Sequence, residues 1–380
     1  MGDNAVPPMK VGFNYPWSND LYGQNFGPVF FPPPAGGLPM WKQTLPSHLI
    51  EFKAMGLSVI RWFIMMNGLT YGRGLKVDDK GRIDAIELPI DRSTIDFGSA
   101  QIKHRWEFDP PDTLHPTFIE HFTLMLQMFR DSKTGLQVIP SLIDFPFLAV
   151  PEDRIVSKGG GRQDVAIDSV KRKKFFDGVL EPLVQASVPF KDQIFAWEVM
   201  NEPSWLIRPG PPFGPVASDS LMNESVLRTF LQEALDRIEA HPEFAQKSTV
   251  GHRFITDLAK LPTGKLRQFH YYAKTTVAED PSVIPEHATT NAFVGEFSPE
   301  FNGNLFDRIR SDPGASWPEL KDRDRPATLT VSRRLQLLSD KGYALAMVWP
   351  NRRGGLTNRI KLDAVAQGSL ERYTGTFFIR

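Results

Sequence analysis

The sequence has no cysteine. Disulfide bonds, thiolate metal sites and a cysteine nucleophile are therefore excluded. It also has no apolar run of membrane-spanning length, because charged residues interrupt every candidate, so no membrane partner is predicted. Lysine plus arginine and aspartate plus glutamate number 44 each, which gives a formal net charge of zero. Because this balance creates no bulk field for a polyanion, we predict no nucleic-acid partner, and a neutral partner is compatible with it.

Targeting and assembly signals are also scarce. Residues 1–8 have neither the basic stretch nor the apolar stretch of a secretory signal. We therefore expect a cytoplasmic protein as the sequence stands, or a secreted one if a signal peptide has been removed. The sequence carries no indication of oligomeric state.

Short apolar runs typical of buried strands recur along the whole chain, and most are followed by a helical pattern or by room for one. Candidate strands lie at 10–17, 57–64, 136–144, 195–203, 249–254, 268–273, 292–298 and 343–349. Candidate helices lie at 47–55, 116–131, 166–186, 224–240, 330–340 and 359–371. Strand and helix alternation with right-handed crossovers predicts an α/β fold with a parallel sheet. Eight units predict a single (β/α)8 TIM barrel over residues 1–380, with long loops on its C-terminal face.

One of these loops is a long insertion at residues 67–115. Its Asp78-Asp-Lys-Gly81 segment predicts a hairpin turn, because the carboxylate spacing of a calcium loop is absent.

Two of the predicted strands end on a carboxylate. The run from Phe195 stops at Asn201-Glu202-Pro203, and a second run ends at Glu296, 94 residues later (296 − 202). The C-terminal ends of parallel barrel strands gather on one face, so these glutamates can converge. The chemistry that most needs two such carboxylates is glycoside hydrolysis.

A resemblance to a known family follows from the position of several motifs on successive strands. They are Arg61 on strand two, Asn201-Glu202-Pro203 on strand four, His270-Tyr-Tyr272 on strand six, Glu296 on strand seven and Trp349 on strand eight. In this order they resemble clan A of the retaining glycoside hydrolases, most closely glycoside hydrolase family 5, which includes endoglucanases and β-mannanases. The sequence departs from the family where many members place a histidine near the end of strand three, because here that strand ends on Asp144.

The resemblance assigns the two catalytic roles. Glu202 is expected to be the acid/base, with a pKa raised by partial burial and by the neighbouring carboxylate. Glu296 is expected to be the nucleophile, which must stay ionised, and Arg61 would favour that form if its guanidinium reaches the carboxylate. The alternative for Arg61 is an ion pair with Glu198 in the barrel interior, since a lone buried charge is very costly.

Further residues are candidates for substrate binding. The resemblance places Asn201 against the sugar 2-hydroxyl, Tyr272 against the nucleophile and His270 against the substrate, the alternative for His270 being an ordinary core histidine. Trp349, Trp17 and Trp205 lie at strand ends or just beyond them, where indole rings can stack on sugars, although each could instead be structural. Asp144 is a candidate for a sugar hydroxyl. His252 and Arg253 carry no motif and receive no role.

The sequence-based hypothesis is therefore a retaining β-glycosidase that acts on β-linked glucosyl or mannosyl chains. It predicts carboxyl groups about 5 to 5.5 Å apart and needs no cofactor and no metal, and no histidine pattern indicates a metal site. Its alternatives are a transglycosylase that uses the same residues and a barrel that binds carbohydrate without cutting it. The long loops favour a pocket or short cleft, and no motif distinguishes gluco from manno sugars.

Overall fold

All eight predicted strands are present and form a closed parallel barrel in the computed structural model. The structure describes residues 9–15, 17–18, 21–22, 25–27, 40–65, 75–77, 83–86, 94–97, 100–103, 113–149, 162–208, 221–271, 291–297, 335 and 338–349. The barrel strands are β1 (Lys10–Asn14), β2 (Val59–Phe63), β3 (Gln137–Asp144), β4 (Trp197–Asn201), β5 (Ser248–His252), β6 (Arg267–Tyr271), β7 (Ala292–Phe297) and β8 (Leu345–Val348). They follow one another around the ring, and β8 closes it against β1.

The described helices lie between these strands. They are α1 (Met40–Ala54), α2 (Pro116–Asp131), α3 (Gln163–Ile167), α4 (Ser169–Phe175), α5 (Glu181–Ser187) and α6 (Glu224–Glu239). The predictions for α2 and α6 are confirmed. Helix α1 begins at Met40, earlier than the predicted residue 47, because burial of Trp41 and Leu45 holds a turn that Pro46 would otherwise break.

The single helix predicted at 166–186 is divided into several segments. Asp168 has an extended backbone and accepts hydrogen bonds from the first N–H groups of α4, which separates α3 from α4. A π-helical turn, Phe176–Leu180, then leads into α5. Pro182 has no N–H to offer the carbonyl of Gly178, and that carbonyl accepts from Leu114 instead.

Short antiparallel pairs decorate the barrel. Leu75–Val77 pairs with Ile83–Ile86, and the turn predicted at 78–81 lies outside the described residues. Thr94–Phe97 pairs with Ala100–Lys103 in the same insertion. Another pair joins Trp17–Ser18 to Leu21–Tyr22. Of the helix predicted at 330–340, residues 335 and 338–340 are helical, and the helix predicted at 359–371 lies outside the described residues.

The barrel interior is layered. Apolar side chains at the N-terminal ends of the strands fill its base, among them Val59, Ile139, Phe293, Leu345 and Met347. Two residues further along their strands, on the same face, stand Arg61 and Ser141, so a polar layer lies directly above the apolar one. Trp62 and Trp197 point the other way and are buried in the core outside the barrel. No helix among the described residues has the length and apolar character needed to cross a membrane.

Candidate active site

Strand register brings the candidate residues together in pairs. Asn14 on β1 is the register partner of Arg61, and Asp144 at the end of β3 is the partner of Asn201. On the opposite side of the barrel, His270 is paired with Glu296. Apart from Arg61, at the middle of β2, these paired residues lie in the C-terminal halves of their strands, where barrel enzymes carry their sites.

Two irregularities in the ladders aim further side chains inward. The register of β4 against β5 shifts between Glu198 and Asn201, so both reach the same guanidinium although they are three residues apart. The register of β6 against β7 shifts between Phe269 and His270. Such bulges re-aim side chains next to active sites.

Arg61 is the centre of this layer and is fully buried. It donates to both oxygens of Glu198 at 2.6 Å, to Asn14 Oδ1 at 2.9 Å, to Asn201 Oδ1 at 2.6 Å and to Glu296 Oε1 at 2.5 Å. Burial alone would lower the pKa of Arg61, but Glu198 and Glu296 together raise it above its ordinary value. The two sequence-based hypotheses for this arginine, a pair with Glu296 and a pair with Glu198, are therefore both confirmed as contacts.

Glu198 is the buried anchor below the site. Its Oε1 also accepts from Ser141 at 2.7 Å, and its Oε2 accepts from Gln268 at 2.9 Å. With the two Arg61 contacts, this satisfies a carboxylate that is completely removed from solvent.

Glu202 occupies a strained position just after β4. Its φ of 46° is left-handed, which is uncommon for a residue with a side chain, and Pro203 disfavours the right-handed alternative. Its N–H donates to the carbonyl of Gly251 on β5 at 2.7 Å, which fixes the backbone across the strand end. Strain of this kind is maintained where the surrounding structure over-determines it, often at functional sites.

The carboxyl group of Glu202 has two partners. His270 Nδ1 lies 2.8 Å from Oε1, and Trp205 Nε1 donates to Oε2 at 2.6 Å. Burial by itself raises the pKa of Glu202, but His270, Trp205 and the nearby charge of Arg253 outweigh it and lower that pKa below its ordinary value. The expectation of a raised pKa is therefore wrong, because these neighbours all favour the charged form.

His270 bridges the two candidate catalytic carboxylates. Its Nδ1 lies 3.4 Å from Glu296 Oε2 in addition to its contact with Glu202. One oxygen of each glutamate and a ring nitrogen of His270 all lie within 4.8 Å of one another. The glutamates differ in surroundings, since Glu296 faces a guanidinium and is 4% exposed, while Glu202 is 15% exposed.

The same three residues are the group, among those the structure describes, with the spacing to hold a metal ion. Their polar atoms already have partners, because His270 Nδ1 contacts Glu202 and one oxygen of Glu296 accepts from Arg61. A guanidinium in contact with one ligand also opposes a divalent cation. The donor set therefore suits proton transfer better than metal binding, and the absence of a metal stays a prediction.

Asn201 is held at both ends of its amide. Its Oδ1 accepts from Arg61, and its Nδ2 donates to Asp144 Oδ1 at 3.0 Å. Asp144 is buried and also accepts from the N–H of Phe145 at 2.7 Å. An amide nitrogen carries two hydrogens, so one N–H of Asn201 remains in a fixed direction for a ligand.

The predicted aromatic residues have different surroundings. Trp349 follows β8, is partly exposed and packs edge-on against Phe63, whose ring lies over the Arg61 guanidinium. Trp205 is mostly buried. Of Trp17 only the backbone is described, and Tyr272 lies outside the described residues.

Several residues of the layer are absent from the sequence-based site. They are Asn14, Ser141, Gln268 and, as a supporting residue, Arg253. Asn14 carried a usable signal, because it is a polar residue that ends an apolar strand as Asn201 and Glu296 do. Ser141 and Gln268 are polar residues inside strands, and only their inward side of the alternation distinguishes them.

Comparisons with known proteins give a structural match only. No family model and no curated protein sequence matches this chain. The fold is similar to that of a β-mannanase from the blue mussel Mytilus edulis (TM-score 0.54, 15% identity, covering 97% of this chain and 92% of that one) and to a β-1,4-D-mannanase from Cryptopygus antarcticus (0.56, 14%, 97% and 90%). It is also similar to a glycoside hydrolase family 5 enzyme from Prevotella bryantii in complex with a xyloglucan tetradecasaccharide (0.55, 14%, 97% of each chain). At these identities the similarity establishes the fold, and the function must be argued from the site.

Proposed function

We propose that this chain is a single-domain retaining β-glycoside hydrolase of the family 5 type, which cleaves β-linked glucosyl or mannosyl oligosaccharides or polysaccharides. The observation that carries the proposal is the separation of at most 4.8 Å between an oxygen of Glu202 and an oxygen of Glu296. A retaining enzyme needs carboxyl groups about 5 to 5.5 Å apart, whereas an inverting enzyme leaves room for a water between groups about 6.5 to 9.5 Å apart.

The unequal surroundings of the two glutamates support their roles. Glu296 faces Arg61 at 2.5 Å, and this cation stabilises the anion that a nucleophile must be. The partners of Glu202 are instead the ring nitrogen Nδ1 of His270 at 2.8 Å and the neutral indole N–H of Trp205 at 2.6 Å. Glu296 is therefore the nucleophile, and Glu202 is the acid/base.

The reaction takes two displacements. Glu296 attacks the anomeric carbon while Glu202 gives its proton to the departing glycosidic oxygen, which leaves a glycosyl ester on Glu296. Glu202, now ionised, takes a proton from water, and the water attacks the same carbon and frees Glu296. The fixed N–H of Asn201 donates to the sugar 2-hydroxyl, a hydrogen bond that strengthens in the transition state.

The lowered pKa of Glu202 suits the second displacement more than the first. A sugar bound over the site displaces water and adds to the burial of Glu202, which favours its protonated form before the first displacement.

The neighbouring structures support the choice of substrate. Their names specify β-mannanases and a family 5 enzyme bound to a xyloglucan oligosaccharide. Trp349, partly exposed beside Phe63 and Arg61, offers an indole on which the apolar face of a glucosyl or mannosyl ring can stack.

A panel of aryl β-glycosides and β-linked oligosaccharides of the gluco, manno, galacto and xylo series tests the proposal. We expect wild type to cleave a gluco or manno member with retention, seen by proton NMR of the first anomer formed. We expect Glu296→Ala to lose activity by orders of magnitude, while Glu51→Ala, at an exposed site on α1, keeps it. An inverted first product would contradict the assignment.

Two other results would replace the hydrolase by its alternatives. If oligosaccharides bind and none is cleaved, the protein is a carbohydrate-binding barrel. If cleavage gives mainly longer oligosaccharides when an acceptor sugar is added, the intermediate on Glu296 passes to sugar rather than to water, and the protein is a transglycosylase.

A further inference from the structure

Trp205 lies in the active site but in an arrangement unsuited to sugar stacking. It is the third residue after Glu202, in the short 3-10 helix Pro203–Leu206, and it is 8% exposed. The guanidinium of Arg253 lies over its ring, 3.3 Å from the centroid, and the ring of Phe145 packs against it at 5.8 Å. A sugar platform needs an open ring face, and here a cation covers one face.

The polar edge of the same ring serves a different purpose. Its Nε1 donates to Glu202 Oε2 at 2.6 Å, on the carboxyl oxygen that His270 does not contact. His270 and Trp205 therefore hold one oxygen each, and together they fix the plane of the carboxyl group. The 3-10 turn of the backbone would not fix that plane by itself, because the glutamate side chain has three rotatable bonds.

Arg253 comes from a different strand than the group it supports. It follows β5, whose Gly251 carbonyl accepts the backbone N–H of Glu202. It lies over Phe254 as well as over Trp205, so two rings set its position. A cation over an indole face is attracted to the ring, which holds the indole edge in place.

We propose that Trp205 and Arg253 are positioning residues for the acid/base, the indole N–H holding one oxygen of Glu202 and the guanidinium keeping the ring in that orientation and closed to sugar. This inference rests on the proposed function, since it takes Glu202 as the proton donor. It assigns Arg253 a role that no motif indicates, and it moves Trp205 from substrate binding to control of the proton donor.

The arrangement has a direct consequence for catalysis. An N–H donor and a nearby cation both favour the ionised carboxylate, so they prepare Glu202 to act as the base and limit the pH range in which it acts as the acid. The alkaline side of the kcat/KM profile reports the acid in the free enzyme. Removing the indole donor should therefore move that side of the profile to higher pH.

The experiment compares wild type with Trp205→Phe on two aryl glycosides of the sugar that wild type cleaves, one with a phenol and one with a 2,4-dinitrophenol leaving group. We expect the alkaline limb of Trp205→Phe to shift up by about one pH unit. We also expect an activity loss on the phenyl glycoside roughly 10-fold greater than on the dinitrophenyl one, because only the poor leaving group needs the acid. A purely structural defect would lower the activity on both substrates equally and leave the alkaline limb of the pH profile unchanged.

Trp197→Phe is the matched control. Its indole Nε1 donates to Ser187 Oγ at 3.2 Å in the core outside the barrel, so it loses the same kind of buried bond far from Glu202. Its alkaline limb should coincide with that of wild type. If Trp205→Phe fails to fold, Arg253→Met tests the same proposal, because Arg253 is only partly buried. Its alkaline limb should also move to higher pH.

A substrate-independent arm separates this inference from the proposed function. The carboxyl carbon of Glu202, assigned by its loss in Glu202→Gln, is titrated by carbon-13 NMR, and its midpoint should rise in Trp205→Phe. If wild type cleaves no glycoside, the proposed function fails and the titration still decides the positioning. A Trp205→Phe variant with unchanged midpoint and limb but a higher KM would overturn the inference and make Trp205 a sugar platform.

Discussion

Arg61 donates to both oxygens of Glu198, from Nε to Oε2 and from Nη2 to Oε1, each at 2.6 Å, with neither side chain exposed to solvent. The same guanidinium reaches Glu296 through Nη1. The buried pair thus orients the cation from below, and the remaining edge of the guanidinium is directed at Glu296, the proposed nucleophile. One guanidinium therefore joins a buried structural ion pair to a proposed catalytic group.

Loss of the Glu198 charge should therefore destabilise the folded barrel. In Glu198→Gln the side chain keeps its shape but loses its charge, and Arg61 loses its main partner. We expect the free energy of unfolding to fall by about 3 to 5 kcal/mol, as for other broken buried pairs. Urea unfolding followed by circular dichroism measures it.

Glu233→Gln is the matched control for that change. Glu233 pairs with Arg172 through both oxygens, but its side chain is 45% exposed. A pair so open to water contributes about 0 to 1 kcal/mol. Equal losses in the two variants would show that burial of the Arg61 pair does not govern its contribution.

Asp144 should affect catalysis through Asn201. Asp144→Ala removes the acceptor of the Asn201 amide, so the N–H directed at the sugar loses its fixed orientation. Because the contact with the 2-hydroxyl strengthens in the transition state, we expect kcat to fall about 10- to 100-fold with little change in KM. Steady-state kinetics on the preferred glycoside measure both constants.

Asp144 also caps the short 3-10 helix Phe145–Phe147, because it accepts from the N–H of Phe145. Asp168→Ala is therefore the control, since it removes another helix cap. Asp168 caps α4 by accepting from the N–H groups of Val170 and Lys171, on a helix outside the barrel. The Asp168→Ala variant should lose stability and keep its kcat. An unchanged kcat in Asp144→Ala would mean that the orientation of Asn201 does not affect the reaction.

Two glycines allow the polar layer to assemble. A Cβ at Gly295 would lie 2.2 Å from Nε2 of Gln268, which donates to Glu198, whereas a Cβ at Gly251 would lie 3.0 Å from Glu198 Oε1. We expect Gly295→Ala to lose about 1 to 3 kcal/mol and Gly251→Ala less, because the deeper overlap forces the larger shift. The denaturation midpoints of the two variants give the order, and the reverse order would contradict it.

His252 should make stability depend on pH. Burial lowers its pKa from 6.5 to about 4, although the carbonyl of Pro262, 3.1 Å from Nε2, opposes the shift. Between these values the unfolded chain binds a proton that the folded protein does not, so stability decreases as the pH falls from 6.5 to about 4. In His252→Gln this dependence should weaken by up to about 1.4 kcal/mol per pH unit, measured by urea unfolding across that range. An unchanged slope would mean that another group titrates.

Local sequence pattern predicted the strands and the strand ends that carry the candidate catalytic residues. It did not predict that Glu198 and Asn201 serve one guanidinium, because strict alternation places residues three apart on opposite faces, and the register shift that overcomes this is set by the neighbouring strand. The prediction of a raised pKa for Glu202 was wrong for a related reason. Burial can be guessed from one strand, but His270 and Arg253 come from two others.

The closing position of β8 between β7 and β1 sets an order of events during synthesis. Glu198 follows Arg61 by 137 residues and Glu296 follows it by 235. At about 5 to 20 residues per second, the guanidinium waits roughly ten to fifty seconds before its second anion leaves the ribosome. The ring cannot close until residue 348 has also emerged. Until then the nascent chain carries an incomplete sheet with unpaired strand edges, which are prone to pair with other chains.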